Sequence, residues 1–175
     1  MFLSKLFFNQ KDKTSIPINR DQCCAFAGHR PEKLYGKEGY VIAQLRKEID
    51  EAVADGYTTF VTGCSRGVDL WAADIVIEMQ HTNKDLRLIC AIPFPGFEDR
   101  WPVEWKKHLQ LVEKKADRIE IVEQSYTPGA YQKRNAYMCD LSSRIIAVCD
   151  GRPSGTLNTI KYAQANDIPV RLIKP

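Results

Sequence analysis

Short apolar runs alternate with segments of helical periodicity along almost the whole sequence. Runs rich in β-branched and aromatic residues predict strands, and apolar residues three or four positions apart predict helices. The predicted strands are 22–27, 57–62, 86–92, 117–122, 144–149 and 168–173. The predicted helices are 40–54, 68–79, 103–115, 130–141 and one from 156 onwards. This alternation is typical of α/β proteins, so we expect a Rossmann-like, three-layer fold: a mostly parallel sheet of about six strands with helices on both faces.

The sequence divides into an N-terminal extension, residues 1–20, and a single domain, residues 21–175. The domain contains no repeat or linker, and its length suits one hydrophobic core. The extension is rich in apolar residues but has neither the apolar core nor the cleavage site of a signal peptide. We expect it to pack on the domain or on a second subunit, with a weak membrane-surface anchor as the alternative. No apolar run approaches the ~20 residues of a transmembrane helix, so we expect no membrane span and a cytoplasmic location.

The net charge of +3 comes from the extension. Residues 21–175 carry as many basic as acidic side chains. Proteins that bind nucleic acids usually have an excess of positive charge. The neutral domain therefore argues against a nucleic-acid partner. A homo-oligomer is compatible with the sequence, but no heptad pattern or apolar patch specifies one.

Six cysteines are spread along the chain, at Cys23, Cys24, Cys64, Cys90, Cys139 and Cys149. None forms a CxxC pair, and most fall in or beside predicted strands. We therefore expect buried free thiols and not a disulfide framework. No group of Cys and His has the spacing of a zinc site along the chain, so no metal is expected.

A strand, a glycine-containing loop and a helix N-terminus follow one another within residues 144–163. Asp150 and Gly151 begin the loop, and Gly155 and Thr156 lie at the start of the helix. Unpaired backbone N–H groups and the positive end of the dipole make a helix N-terminus attractive to anions. Gly155 leaves room for a phosphate and Thr156 adds a hydroxyl donor, so the segment predicts an anion site. Turns and helix starts also use these residue types for purely structural reasons.

Two more glycine-containing loops follow predicted strands. Their candidate residues are Gly28, His29, Arg30, Gly63, Ser65, Gly67 and Asp69. The carboxyl ends of parallel strands share one edge of a sheet, where ligands bind. We expect Ser65 to donate to a phosphate, and Asp69 to cap its helix or to accept from a sugar hydroxyl. The three loops together predict a site for a small phosphorylated ligand, although none matches a dinucleotide fingerprint or a P-loop.

The roles of three polar residues are left open by the sequence. Arg134 and Asn135 lie early in a helix, where they form either a solvated surface pair or a contact to the ligand. In the second case Arg134 would bind a phosphate through two hydrogen bonds and Asn135 would recognise a base or ribose. His29 is either a structural residue or an acid–base group near neutral pH. No Ser-His-Asp arrangement occurs.

Several short motifs occur in the same order as in a known family. They are Gly28-His29-Arg30-Pro31, Thr62-Gly63, Gly67-Val68-Asp69 with Ala72, Pro93-Phe94 with Trp101, Ala116-Asp117, Arg134-Asn135 with Met138, Asp150-Gly151 and Gly155-Thr156. Over about residues 23–173 the chain resembles the YpsA-like proteins of the SLOG superfamily. The resemblance implies a Rossmann-like fold related to the Smf/Dpr DNA-processing proteins and to cytokinin-activating phosphoribohydrolases. It also implies a nucleotide or ADP-ribose-like ligand and no other cofactor.

Thr159 departs from the pattern of the related phosphoribohydrolases. Those enzymes carry a PGGxGTxxE motif whose final Glu serves hydrolysis of the base–ribose bond. Gly155 and Thr156 match its GT, but Thr159 stands at the position of the Glu. A threonine cannot act as a carboxylate base. The resemblance therefore implies a sensor or effector domain that binds a nucleotide or phosphoribosyl ligand without turnover.

Two alternative functions remain open at this point. One is a hydrolase of nucleotide N-glycosidic bonds in which Asp69, Glu98 or Asp150 replaces the missing Glu. The other is binding of single-stranded DNA, by analogy with the DNA-processing relatives. The neutral charge of the domain argues against the second.

Overall fold

The computed structural model describes residues 17–175, so the predicted packing of the N-terminal extension lies outside the described residues for positions 1–16. Six strands form one sheet in this range: β1 (Cys23–Gly28), β2 (Thr59–Thr62), β3 (Arg87–Ile92), β4 (Arg118–Ile121), β5 (Arg144–Val148) and β6 (Val170–Ile173). Five α-helices connect them: α1 (Glu38–Ala54), α2 (Val68–Met79), α3 (Val103–Lys115), α4 (Ala130–Asp140) and α5 (Gly155–Ala165). Short 3₁₀ turns cover Arg20–Gln22 and Pro31–Lys33.

Every strand pairs in parallel, in the spatial order β4-β3-β2-β1-β5-β6. Helices α1 to α3 lead from β1 to β2, β3 and β4, which follow one another on one side of β1. Helix α5 leads from β5 to β6, which lie on the other side of β1. The order therefore reverses between β1 and β5, which pair from Cys24 with Arg144 to Gly28 with Val148. Open α/β sheets bind ligands at such a reversal, beyond the carboxyl ends of the strands. The predicted α/β, Rossmann-like architecture is confirmed.

The predicted elements agree with the structure except near some of their ends. Strand β2 begins at Thr59, whereas the sequence predicted 57. Gly56 ends α1 with a left-handed backbone (φ +95°), and the N–H of Tyr57 donates to the carbonyl of Ala52. This hydrogen bond caps the C-terminus of α1. The N–H of Tyr57 is therefore not available for pairing in β2, which begins two residues later.

The sheet has a hydrophobic cluster on each face. Phe26 and Phe60 stack at 5.8 Å on the side of α1 and α2, and Ile145 and Ala147 pack on the side of α4 and α5. All six cysteines are buried free thiols, as predicted. Burial raises the pKa of Cys23 to about 11, so this thiol stays protonated at neutral pH.

The edge strand β4 exposes its apolar side. Ile119 is 41% and Ile121 46% exposed, whereas Arg118 and Glu120 are half-buried. Helix α3 packs mainly against α2 and leaves this face of β4 uncovered. None of the helices within residues 17–175 is long and apolar enough to cross a bilayer.

Candidate functional site

A cleft of about 370 Å³ opens at the reversal point between β1 and β5. Its size is in the range of small-molecule sites. Nine predicted site residues line it: Gly28, His29, Arg30, Ser65, Asp69, Arg134, Asn135, Gly155 and Thr156. The three glycine-containing loops thus meet in one place, as their positions after parallel strands predicted. Whether they bind a ligand stays a prediction.

The other four predicted residues, Gly63, Gly67, Asp150 and Gly151, lie outside the lining. Gly67 precedes α2 with φ +89°, and a Cβ there would lie 2.9 Å from the carbonyl oxygen of His29. It therefore lets the loops after β1 and β2 approach each other. Gly151 also has a left-handed backbone (φ +85°) and is exposed.

The N-terminus of α5 forms one wall of the cleft. Ser154 is its N-cap, and its Oγ accepts a hydrogen bond from the N–H of Leu157 (3.1 Å). The N–H groups of Gly155 and Thr156 belong to the first turn, where no carbonyl within the helix can accept them. A Cβ at Gly155 would meet no atom within 4 Å. An anion can therefore approach this end of the helix closely.

Arg134 is buried, 4% exposed, and links α4 to the loop after β2. Its Nη1 donates to the carbonyl of Gly63, its Nη2 to Ser65 Oγ (3.3 Å) and its Nε to Asn135 Oδ1 (2.8 Å). The surface-pair interpretation is therefore wrong for this residue. Since most of its donors already have acceptors, Arg134 mainly positions the loop after β2 and adds positive charge behind the cleft.

Asp69 is the carboxylate of the cleft lining and is 6% exposed. Its Oδ2 accepts from the N–H of Ser65 (3.2 Å), whereas its Oδ1 is buried without a hydrogen-bond partner among the described residues. Burial raises the pKa of Asp69 to about 6, and the positive charge of Arg134 opposes this rise. Asp69 thus presents an unused acceptor beside the positive side chains.

His29 is buried at the end of β1 and contacts the loop after β5. Its Nε2 lies 3.2 Å from Asp150 Oδ1. Hydrogen bonds from the side chain and backbone of Arg152 are the main reason that the pKa of Asp150 is below its usual range. The carboxylate of Asp150 is therefore engaged by His29 and Arg152, outside the cleft lining.

Lys33 and Tyr131 are among the polar residues of the lining that sequence reasoning missed. Lys33 ends the 3₁₀ turn that follows Arg30 and adds a positive charge. Tyr131 lies one helical turn before Arg134, whose guanidinium is 5.9 Å from the centre of its ring. The spacing of three residues along α4 was the signal that could have identified Tyr131.

Comparisons with known proteins agree with the fold and with the motifs. A sequence model described as the YspA SLOG family matches residues 24–175. The chain belongs to the YspA SLOG family. This membership confirms the resemblance that the motifs indicated.

Curated relatives of this family member are the UPF0398 proteins of bacilli. One from Bacillus thuringiensis (strain Al Hakam) is 28% identical over 114 residues, which are 64% of this chain and 62% of the relative. One from Bacillus cereus (strain G9842) is 26% identical over 140 residues, which are 75% of this chain and 76% of the relative. The match thus spans less than two thirds of the Bacillus thuringiensis protein.

Two solved structures of DNA processing protein A have a similar fold. The protein from Streptococcus pneumoniae has a TM-score of 0.53 and 19% identity, over 87% of this chain and 50% of that one. The protein from Helicobacter pylori has a TM-score of 0.59 and 19% identity, over 89% of this chain and 66% of that one. The latter is described as having a unique single-stranded DNA binding mode.

The expectation that argued against a nucleic-acid partner is wrong. It rested on the net charge of the domain, yet a protein of similar fold binds single-stranded DNA. The physical reason is that net charge does not describe a local surface. Arg30, Lys33 and Arg134 gather at one cleft with Asp69, so this cleft is positive although the domain is neutral.

Proposed function

We propose that this member of the YspA SLOG family is a binding domain for a nucleotide or phosphoribosyl ligand, which it holds without hydrolysis. The observation that carries the proposal is the convergence of the α5 N-terminus with Arg30 and Lys33 in one cleft of about 370 Å³. A helix N-terminus and two cations suit a phosphate group. The fold it shares with a protein that binds single-stranded DNA supports a ligand of the nucleotide class.

The phosphate would lie against Gly155 and Thr156. Their N–H groups have no acceptor within α5, and the absence of a side chain at Gly155 leaves room for the phosphate oxygens. Arg30 is exposed and Lys33 lies beside it, so both can move onto a bound anion. These contacts recognise the charge and shape of a phosphate.

The sugar and base would lie towards Asp69 and Asn135. The unpartnered Oδ1 of Asp69 can accept from a ribose hydroxyl, which would satisfy a buried acceptor. Asn135 uses its Oδ1 to accept from Arg134, which leaves its amide group to donate to a base or a ribose. Tyr131 offers an aromatic ring in the same lining.

The proposal that the bound ligand is not hydrolysed rests on Thr159. This residue is buried in the lining, and its hydroxyl donates to the carbonyl of Gly155 (3.0 Å). It therefore supplies no carboxylate at the position where the related hydrolases have their Glu.

The test is calorimetric titration with AMP, ADP-ribose, NAD and a single-stranded oligonucleotide. We expect saturable binding of at least one nucleotide. Gly155→Asp should weaken it by about tenfold or more, because it puts a negative charge where the phosphate lies. Gly39→Asp is the matched control, since Gly39 also lies in the first turn of a helix and also has open space around it.

Two results would contradict the proposal. The first is no binding of any of these ligands at millimolar concentration. The second is equal affinity for Gly155→Asp and for the Gly39→Asp control. If only the oligonucleotide binds, and its affinity falls steeply with salt, the ligand is a nucleic-acid strand and not a free nucleotide.

Hydrolysis of the N-glycosidic bond is a second candidate function, and the state of Asp69 favours it. Of the three carboxylates considered from the sequence, only Asp69 lines the cleft within the described residues, and a pKa of about 6 suits an acid–base group. Water would add across the bond to give the free base and a ribose phosphate. Chromatography of AMP incubated with the protein tests this: base released by the wild type but not by Asp69→Asn would favour hydrolysis over simple binding.

A further inference from the structure

Three metal-ligating side chains meet beside the cleft. The imidazole of His29, the thiol of Cys149 and a carboxylate oxygen of Asp150 all lie within 4.8 Å of one another. Residue 29 follows β1, and residues 149 and 150 follow β5. Because Gly28 pairs with Val148 in the sheet, the next residue of each strand extends to the same place. The cluster is therefore produced by strand pairing and has no counterpart in local sequence spacing.

We propose that His29, Cys149 and Asp150 bind a divalent transition-metal ion of the zinc class. Imidazole, thiolate and carboxylate are the three kinds of ligand that Zn²⁺ takes in proteins. A mixed set of nitrogen, sulfur and oxygen does not suit Mg²⁺ or Ca²⁺, which prefer oxygen ligands alone. Three protein ligands leave a fourth tetrahedral position for water or for an oxygen of another molecule. This site is separate from the proposed nucleotide contacts at Gly155, although His29 also lines the cleft.

The distances are close to those of a coordinated ion. With metal–ligand bonds of ~2.0–2.2 Å, a tetrahedral ion holds a nitrogen and an oxygen roughly 3.4 Å apart. His29 Nε2 and Asp150 Oδ1 are 3.2 Å apart. The same calculation with a sulfur bond of ~2.3 Å puts the thiolate roughly 3.6 Å from the other two ligands. Because the three atoms lie within 4.8 Å of one another, Cys149 Sγ has to approach by about 1.2 Å at most.

Two contacts compete for the imidazole nitrogen of His29. His29 Nε2 faces the carboxylate Oδ1 of Asp150 at 3.2 Å and the backbone N–H of the same residue at 3.3 Å. A protonated nitrogen suits the carboxylate, and an unprotonated one suits the N–H, so one ring nitrogen cannot serve both. A cation between Nε2 and Oδ1 would take an electron pair from each atom, and the N–H of Asp150 would then lose Nε2 as its acceptor.

The surrounding hydrogen bonds resemble the outer shell of a metal site. The N–H of Gly151 donates to Cys149 Sγ (3.4 Å) and holds the sulfur in place. Arg152 donates from its backbone to Asp150 Oδ1 (3.0 Å) and from its side chain to Oδ2 (2.7 Å). Ligands held by such bonds are oriented before the ion arrives. His29 and Cys149 are 3% and 2% exposed, whereas Asp150 is the exposed member of the cluster.

The positive charge of Arg152 is the strongest opposing feature. Its side chain is 62% exposed and contacts Asp150 through Oδ2, whereas Oδ1 is the atom that faces His29. The carboxylate can therefore keep Arg152 on one oxygen and bind the ion with the other, as metal-bound carboxylates commonly do.

The test is titration of the reduced full chain with Co²⁺, a spectroscopic substitute for Zn²⁺, without any nucleotide. We expect one equivalent to produce a thiolate-to-metal absorption band in the near ultraviolet and the intense visible bands of tetrahedral cobalt, and one equivalent of Zn²⁺ to abolish both. Cys149→Ser should lose the thiolate band. Cys23→Ser is the control and should keep it, since its thiol already contacts the hydroxyl of Ser142 (3.5 Å) and a serine suits that site.

Absence of a thiolate band in the folded wild type, or its persistence in Cys149→Ser, would overturn the proposal. Circular dichroism shows whether the serine variant folds. If it does not, Asp150→Asn decides: we expect Co²⁺ affinity to fall about tenfold or more, and unchanged affinity would overturn the proposal. Because no nucleotide is present, failure of this experiment leaves the proposed ligand-binding function untouched.

Discussion

Arg134 occupies the space that a side chain at Gly63 would need. Its guanidinium donates to the carbonyl of Gly63, and a Cβ built on that glycine would lie 2.6 Å from Arg134 Nη1 and 2.8 Å from Asp69 Oδ2. Gly63 does not line the cleft, yet it allows a buried cation and a buried carboxylate to meet behind it. Its contribution to the site is therefore steric.

Gly63→Ala should destabilise the protein by about 1–3 kcal/mol, because the new methyl group overlaps Arg134 and Asp69. The backbone of Gly63 is outside the left-handed region, so the cost is one of packing. Urea unfolding measures it. Gly39→Ala is the matched control and should cost nothing, since a Cβ there meets open space. Equal midpoints for the two variants would contradict the prediction.

Arg134→Met should be among the most damaging single substitutions in the chain. It leaves the carbonyl of Gly63 without its donor and leaves Asp69 without a nearby cation. Removing one partner of a buried charged pair typically costs about 3–5 kcal/mol. Arg171→Met, which removes an exposed cation paired with Glu48, should cost about 1 kcal/mol or less. Urea unfolding at pH 7 compares them, and similar losses would show that Arg134 is not the structural centre of the cleft.

Asp69 should make the protein less stable as pH rises from about 4 to 6. Its pKa is about 6 in the folded protein against 3.8 in the unfolded chain, so between these values the folded state holds more protons. Stability then falls with rising pH, by on the order of 3 kcal/mol across the window, and stays level above it. Asp69→Asn should remove this slope.

The measurement for Asp69 is the free energy of unfolding at closely spaced pH values. The exposed Asp85→Asn is the control for a change in total charge. A wild-type slope that persists unchanged in Asp69→Asn would show that other groups produce it.

Glu113 should destabilise the protein at alkaline pH. Burial, followed by repulsion from Glu98, raises the pKa of Glu113 to about 7 from 4.5. At pH 8 the side chain is charged in an unfavourable position, and at pH 4 it is neutral in both states. Glu113→Gln should therefore raise the thermal midpoint at pH 8 and leave it almost unchanged at pH 4. Glu98→Gln should act in the same direction but more weakly; an increase at pH 4 as large as that at pH 8 would refute this assignment.

Much of the fold could be predicted because its elements are encoded locally. The spacing of Val68, Ile75 and Met79 predicts the face of α2, and β-branched runs such as Ile145-Ile146 predict strands. Errors occur at ends such as Tyr57, where a helix cap and a strand compete for the same amide. The candidate loops could be found for a similar reason: parallel strands put their carboxyl ends on one edge.

The burial and the hydrogen-bond partners of the site residues could not be predicted from the sequence. Arg134 has the local pattern of a surface residue but is buried, because the loop after β2 supplies acceptors 71 residues away along the chain. The unused oxygen of Asp69 depends on the same packing. Net charge was misleading because it averages over a surface on which Arg30 and Lys33 lie together.

The sequence by itself determined the α/β class, the order of the elements and the family, since these depend on short-range periodicity and on motifs. Only the tertiary structure decided which strands are neighbours. Pairing of β1 with β5 brings Gly28 near Gly155 in the cleft and places His29 against Cys149 and Asp150. Such contacts join residues more than 100 positions apart, and their free energy comes from sheet hydrogen bonds and burial that no local segment possesses alone.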